Sequence, residues 1–321
     1  MERTAILLST FNGERWLPKF LESLVDQSVK FILVWRDDGS HDASVEIVRQ
    51  HKNLRLMEAP HSKPGRNIGP ILSFSSLLEF ALEKTEADYF FFADQDDEWC
   101  STKLEEIIAY ISDLNQKAPL IVHHDLEVVD QYGVCIADSL WGYMGLDKSA
   151  TRIEDFITRN AITGCAMAVN RQLANLVIPF SVKSNMHDWW MALIASVVGE
   201  IHHIDRKLVR YRQHGDNTVG AKSWWSGLNP LTNWRAGWVR GNEEYRSLFV
   251  QAKALRDHLR ESGLMTHKAD SVIRDFLSLP CRPVFNRLIA ANKMGLRRNG
   301  FIFWLIGMIR IATTKVDTET D

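Results

Sequence analysis

Cysteine is scarce and scattered in this chain. The four present, Cys100, Cys135, Cys165 and Cys281, form no C-x-x-C pair. Their spacing argues against a zinc ribbon or a disulfide framework and fits a reducing cytosol. Long apolar runs are missing as well. The nearest to one, Phe301 to Ile309, ends at Arg310, well short of the ~20 residues a membrane-spanning helix needs. The first residues show neither the basic region nor the cleavage site of a secretory signal and pass directly into Ala5-Ile6-Leu7-Leu8. The expectation is therefore a cytoplasmic protein. No internal repeat or low-complexity tract is present. Gly65-Arg66-Asn67-Ile68-Gly69 is flanked by glycines but lacks the Lys-Ser/Thr ending of a P-loop.

What the chain does have is an uneven charge. Its formal net charge is only −2, yet residues 1–205 hold 18 Lys and Arg against 30 Asp and Glu, and residues 206–315 hold 20 against 7. An acidic front and a basic back suggest carboxylates used for chemistry, then a surface that prefers anions. Solvated helix faces explain the basic half equally well.

The first hundred residues read as βαβ units. Short apolar runs at 4–9, 31–35, 54–57 and 89–93 are strands, and helical spacing marks 16–27, about 42–50 and 71–84. The run Tyr89-Phe90-Phe91-Phe92-Ala93 is apolar throughout, as a central strand would be. Further on, a helix is expected over 102–114, strands at 120–123, 164–169 and 201–204, and a helix at 189–198. From about residue 215 the chain becomes Trp-rich, basic and helical, which places a boundary near 220. The fold class expected is α/β, with a mostly parallel sheet over 1–220 and a helical region over 221–321.

Polar residues gather where these strands end, which is where open α/β sheets bind ligands. Asp94-Gln95-Asp96-Asp97 follows the fourth strand. Three carboxylates within four residues repel one another unless a cation sits among them, and hard oxygen ligands suit Mg²⁺ or Mn²⁺. A loop capping the next helix through Ser101 or Thr102 is the plainer alternative. Asp37-Asp38-Gly39-Ser40 ends the second strand and Ser9-Thr10-Phe11-Asn12-Gly13 the first. Each alone reads equally well as a turn or a strand end. Asp188, in His187-Asp188-Trp189-Trp190, is either a helix cap or a proton acceptor. The pairs His123-His124 and His202-His203 have no spaced partner and read as structural.

Together, the order Ser-Thr-Phe-Asn-Gly-Glu, Arg-Asp-Asp-Gly-Ser-His-Asp and Ala-Asp-Gln-Asp-Asp-Glu-Trp resembles the family-2 inverting glycosyltransferases, over roughly residues 3–220. Within them it is most similar to the rhamnosyltransferase-type enzymes of bacterial polysaccharide and O-antigen assembly. The resemblance implies the GT-A fold and a nucleoside-diphosphate sugar bound across the carboxyl ends of the strands. It implies nucleobase contacts from Ser9, Phe11 and Asp38, with Asn12 and Asp37 nearby, and a Tyr is usual where Phe11 stands. Arg66 and Asn67 would meet the diphosphate, with Gly65–Gly69 lending backbone N–H groups, and Arg212 would help neutralise it. Asp94 also belongs to this donor set. Asp94 and Asp96 would form the Asp-x-Asp pair that holds Mg²⁺ or Mn²⁺, Asp96 foremost, with His214 as a further ligand. Asp188 would be the base, and Trp189 or Trp190 an apolar wall for the acceptor sugar.

The implied donor is dTDP-rhamnose, then a UDP-hexose, and the acceptor a glycan or lipid-linked hydroxyl. No nucleic acid is expected as a partner. Arg282, Arg287, Lys293, Arg297 and Arg298 precede the run 301–309, a pattern that suits a helix lying on an anionic membrane surface. Docking on the protein's own core or on a second subunit is the alternative, so a place on the cytoplasmic face of the inner membrane is an expectation. Two other functions fit parts of the sequence: a haloacid-dehalogenase-like phosphatase built on Asp94 and Asp96, and a sugar-nucleotide-binding subunit without turnover.

Overall fold

The computed structural model describes residues 2–215, 234–294 and 309, and within that range the side chains of 234–240 and 293 are not described. The boundary near 220, the cluster Trp224-Trp225 and the apolar run from 301 to 308 lie outside these residues.

Among the described residues nine strands form one sheet: β1 (Thr4–Thr10), β2 (Ile32–Asp37), β3 (Leu56–Glu58), β4 (Tyr89–Ala93), β5 (Glu98–Trp99), β6 (Leu120–Val129), β7 (Cys135–Ala137), β8 (Met167–Asn170) and β9 (Glu200–Arg212). Their order is β3-β2-β1-β4-β8-β6-β9-β5, with β7 on β6. Strands β1 to β4 pair in parallel, β8 runs antiparallel to both β4 and β6, and β6 and β9 are again parallel. The sheet is thus mixed and mostly parallel. Because β8 is reversed, the residues that lead into it share an edge with those that leave β4.

The first helices follow the expected βα order: α1 (Leu17–Val25), α2 (Ser44–Gln50), α3 (Pro70–Lys84) and α4 (Lys103–Ser112). Then come α5 (Leu140–Met144), α6 (Ile153–Phe156), α7 (Arg171–Val177) and α8 (His187–Val198), and finally α9 (Trp234–Glu261), α10 (His267–Leu277) and α11 (Val284–Lys293). In α1 the buried set is Leu17, Phe20, Leu21 and Leu24, one helical stripe facing the sheet. Phe90, Phe91 and Phe92 are wholly buried. Burial of a Phe side chain contributes about 1.5–3 kcal/mol, so this strand anchors both faces.

Two apolar clusters line the two sides of the sheet. One gathers Ile6, Leu8, Trp35 and Phe91 with α1 and α4. The other gathers Leu7, Phe90 and Phe92 with α8 and continues into Leu248, Phe249 and Leu255 of α9 and Ile273 and Phe276 of α10. The helices from 241 onward therefore share their core with the sheet. Gln251, almost wholly buried in α9, accepts the backbone N–H of Asn185 at 2.7 Å, which ties them to the loop before α8.

Strands β6 and β9 are longer than their apolar runs suggest. In β6 the polar His124 and Asp125 are buried because Asp125 accepts from Ser139 Oγ at 2.5 Å and from the N–H groups of Leu126 and Trp141. In β9, Asp205, Arg206 and Lys207 are exposed where the ladder shifts register, so periodicity fails there. The segment expected as a strand from 164 opens with a 3₁₀ turn over Gly164–Ala166 and only then enters β8.

Candidate active site

Four loops meet at the carboxyl edge of the sheet. The turn after β2 is built by Asp37. Its carboxylate accepts the N–H groups of Gly39 (3.0 Å) and Ser40 (2.8 Å) and the hydroxyls of Ser40 (2.6 Å) and Thr10 (2.9 Å). With four internal donors and almost no exposure, Asp37 shapes the turn from beneath. Gly39 has φ +92°, and a Cβ there would lie 2.6 Å from the carbonyl oxygen of Lys63, so glycine lets the turn and the 63–66 loop touch.

Asp38 reaches across to that loop. It accepts Ser62 Oγ at 2.7 Å and the N–H groups of Ile68 and Gly69, both at 3.0 Å, and pairs with Arg36 at 3.3 Å. Gly65 N and Arg66 N donate to Gly39 and Lys63. Most of the backbone N–H groups expected to face a diphosphate are thus spoken for in this conformation. The exposed side chains of Arg66 and Asn67 remain, although Asn67 Oδ1 accepts Gly69 N at 2.6 Å. Ser9, at the end of β1, shares a hydroxyl contact of 2.7 Å with Ser73 in α3, which also accepts from Arg36 at 3.2 Å.

The β1 loop is tied on both sides. Asn12, with φ +48°, accepts His41 N at 2.9 Å, and its own N–H donates to Ser40 Oγ at 2.9 Å. Gln95 pairs with the backbone of Phe11 twice, accepting Phe11 N and donating to Phe11 O, each at 2.9 Å. Gly13 permits this, since a Cβ there would fall 2.3 Å from Gln95 Oε1. The ring of Phe11 stays half-buried beside the opening. The middle residue of an Asp-x-Asp triplet thus joins two of the site's loops, a role with no signal in the sequence.

The three carboxylates after β4 point in different directions. Asp96 Oδ2 lies 2.7 Å from Nε2 of His214. Asp94 and Asp97 turn toward Cys165, and among the described residues these three form the one group whose donor atoms lie within 4.8 Å of one another. The expected set Asp94, Asp96 and His214 is thus divided: Asp96 pairs with His214, while Asp94 groups with Asp97 and Cys165. Burial above all, then Asp96 and Asp188, pushes the Asp94 carboxyl up to about 7. Burial followed by the charges of Asp96 and Asp94 drives Asp97 well above the usual range. Carboxyls this uncomfortable as anions favour a bound cation, so the residues fit a divalent ion.

Part of the counter-charge is built in. Lys103, in the first turn of α4, has no exposure. Its Nζ donates to Cys165 O at 2.6 Å and sits 3.2 Å from the Trp99 ring centroid. Burial lowers it to about 7, against the opposing pull of Asp97 and Asp94. The sequence signals the start of α4 here but not a cation inside the protein.

Arg212 departs from its expected role. Its backbone N–H donates to Asp97 Oδ1 at 3.1 Å, its Nε to Asp96 O at 3.0 Å and its Nη1 to Asp130 O at 3.2 Å, and Nη2 pairs with Glu98. This guanidinium is almost wholly buried and grips the acidic loop instead of lying open to a diphosphate.

Asp188, in the first turn of α8, accepts Gly164 N at 2.8 Å, Asn160 Nδ2 at 2.9 Å and Trp189 N at 2.6 Å. Burial raises its carboxyl to about 7 and outweighs the lowering by those three donors. Its charge adds, after burial and Asp96, to what raises Asp94. The adjacent His187 is different: its ring lies 4.3 Å from that of Phe74 and 5.5 Å from that of Phe92, neither nitrogen has a partner among the described residues, and burial depresses it to about 3. Trp190 does not reach the acceptor side. It is wholly buried in the core, with Nε1 on Val177 O at 3.0 Å. Trp189 is half-buried, with Nε1 on Phe156 O at 2.7 Å.

Residues 5–173, more than half of the chain, match the family model "Glycosyl transferase family 2". The chain is 24% identical over 232 residues to the dTDP-rhamnosyl transferase RfbG of Shigella flexneri, covering 67% of this chain and 74% of that protein. It is 26% identical over 131 residues to the poly(ribitol-phosphate) beta-N-acetylglucosaminyltransferase TarS of Staphylococcus aureus, covering 38% of this chain and 21% of TarS. The structure of TarS residues 1–349 with UDP-GlcNAc superposes with a TM-score of 0.54 at 16% identity, over 97% of this chain and 82% of that one. The shared architecture is GT-A.

Proposed function

Because the chain belongs to glycosyl transferase family 2 and is a glycosyltransferase, we propose that it moves a sugar from a nucleoside-diphosphate donor to a hydroxyl with inversion, and that Asp188 is the base. The observation that carries this reading is the buried Asp188 carboxylate at the start of α8, held by donors from Asn160, Gly164 and Trp189 and raised by burial to about 7. A base works best with a pKa near the operating pH, and burial brings this aspartate there against the pull of its three donors.

In the reaction, the acceptor oxygen attacks the anomeric carbon as its proton passes to an Asp188 oxygen. The bond from that carbon to the diphosphate oxygen breaks, and the electron pair leaves with the diphosphate. Asn160, Gly164 and Trp189 hold the Asp188 carboxylate in one orientation by their donors. Asp94, Asp96 and His214 would hold a divalent cation, Mg²⁺ or Mn²⁺. When bound, it would supply charge neutralisation for the leaving diphosphate. The Phe11 ring, Ser9, Asn12 and Asp38 border the space for the nucleobase, and Arg66 and Asn67 the space for the phosphates.

Among donors we favour dTDP-rhamnose, since the rhamnosyl transferase RfbG matches over two thirds of this chain, and rank UDP-hexoses next. The acceptor is proposed to be a glycan or lipid-linked hydroxyl in cell-surface polysaccharide synthesis. Family membership removes the phosphatase alternative. Among the described residues no helix is long and apolar enough to cross a membrane. Attachment to the cytoplasmic face of the inner membrane through the basic residues from Arg282 to Arg298 and the apolar run 301–309 is likewise proposed. Co-sedimentation of the full chain with anionic vesicles would support it, and its absence would remove it.

A panel of nucleotide sugars, read by thermal shift with and without Mn²⁺ and by NMR of the product's anomeric configuration, tests the reading. A true donor at 100 times its dissociation constant adds about 2.7 kcal/mol of stability. Retained configuration in the product would refute direct displacement.

A further inference from the structure

Trp16 stands between the β1 loop and α1, and its ring is stacked on that of His214 with centroids 5.0 Å apart and 22° between planes. Two guanidinium groups lie on the same indole, that of Arg212 at 5.1 Å and that of Arg15 at 4.3 Å from its centroid. The other side of the story is Asp96, which holds Nε2 of His214 at 2.7 Å. The imidazole is thus fixed twice, in plane by a carboxylate and across its face by an aromatic ring. Stacking of this kind restricts the tilt of a ring that a hydrogen bond alone leaves free to rock.

We propose that Trp16 is a positioning residue for the cation site: it presets the His214 imidazole beside Asp96. The idea rests on the reading that Asp96 and His214 hold the divalent ion. It deepens that reading by naming a residue that touches neither ion nor substrate. The backbone explains why a residue so far away in sequence can do this. Trp16 N and Leu17 N both donate to Gly13 O, at 2.9 and 3.0 Å, so the loop from 13 to 17 is one tight turn. Phe11 at its start is clamped by Gln95 from the acidic loop. The same short segment therefore borders the proposed nucleobase space at Phe11 and braces the cation site at Trp16.

The arrangement also explains a placement that Asp96 alone would not produce. His214 follows the end of β9, and its stack on Trp16 pins that point of the chain to the start of α1. Partners that orient a metal-binding imidazole are worth roughly 10- to 100-fold in metal affinity, and Trp16 falls into that class of contact.

The test is a double-mutant cycle read by Mn²⁺ binding to the full chain, by calorimetry without any nucleotide. Trp16→Leu and the longer Trp16→Met both remove the ring, so one can stand in if the other fails to fold, while Trp16→Phe keeps a stacking face. The expected result is a loss of roughly 10- to 100-fold with Leu or Met, near-native affinity with Phe, and no further loss when the Leu change is made in a His214→Ala background. In the metal-free protein, the His214 ring protons should lose the ring-current shift of the indole in Trp16→Leu. An equal loss of affinity with and without His214 would overturn the proposal, as would unchanged affinity and unchanged His214 resonances. Asp96→Ala separates the two levels. If it leaves Mn²⁺ affinity intact, the cation reading itself fails. If it abolishes binding while the Trp16–His214 cycle is additive, only the role of Trp16 fails.

Discussion

Gly164 donates its backbone N–H to Oδ2 of Asp188 at 2.8 Å, and a Cβ on Gly164 would lie 2.6 Å from Nε2 of His187. One residue at the entry to β8 therefore both orients the proposed base and makes room for the helix that carries it. Any larger residue would push α8 away and break the bond that aims the carboxylate.

The first test is of that carboxylate. Asp188 must be ionised to take a proton, and burial raises it to about 7, so kcat/KM should climb with pH and level off above about 7. Asp188→Asn should lower kcat by about 10²–10⁴, abolish the climb and leave donor affinity in place. Native-like transfer by this variant would move the base elsewhere.

His187 is the natural substitute, and its surroundings argue against it. Ringed by Phe74 and Phe92, with no partner on either nitrogen among the described residues, it has nothing there to orient it, and its depressed basicity makes it a poor proton acceptor. His187→Leu should keep kcat within severalfold. Its folded pKa is depressed to about 3, against about 6.5 in the unfolded chain. As pH falls through that window the unfolded chain gains a proton that the folded one refuses, and stability drops. The Leu variant should therefore lose less melting temperature than the native protein between pH 7 and pH 4. A parallel loss in both would contradict the assignment.

Asp96→Ala should remove metal-dependent donor binding while the melting temperature without metal stays close to native. The motive is its 2.7 Å contact with His214 at the mouth of a carboxylate cluster. Donor binding that still responds to Mn²⁺ in the variant, measured by calorimetry, would point to Asp94 and Asp97 instead.

Lys103→Met strips the buried counter-charge behind those carboxylates. Removing one partner of a buried charged set costs about 3–5 kcal/mol, so denaturant unfolding should show a loss of that order. Mn²⁺ should then restore more stability to the variant than it adds to the native protein, because an added cation replaces the missing one. A variant as stable as the native chain would mean that Lys103 carries no charge of consequence there.

Much of this could be read from the residues. The apolar strands, the carboxylate runs at their ends and the Asp188 helix start all carry local signals, and the order of the motifs pointed to the family. What could not be read depends on partners distant in sequence. Arg212 looked like a phosphate ligand because a cation near a site is attractive; its true partners, Asp96, Asp97 and Glu98, are supplied by the antiparallel pairing of β5 with β9. Trp190 looked like a sugar wall because it follows the base, but helical rotation takes it about 200° around from Asp188, into the core. Gln95, Lys103 and Trp16 have side chains whose purpose exists only once the loops are brought together. A buried lysine in particular runs against every composition rule until its surroundings are seen.

The two hydrogen bonds between Gln95 and the backbone of Phe11 have a consequence for which donors fit. They fasten the loop proposed to border the nucleobase to the loop proposed to border the leaving group, so that, on this reading, the span between them is a fixed gauge and not an adjustable gap. A nucleotide one phosphate short cannot stretch the protein to compensate, since both hydrogen bonds would have to break first. Nucleoside monophosphates should compete with the donor far more weakly than the matching diphosphates, and Gln95→Leu, by freeing the two loops, should narrow that difference.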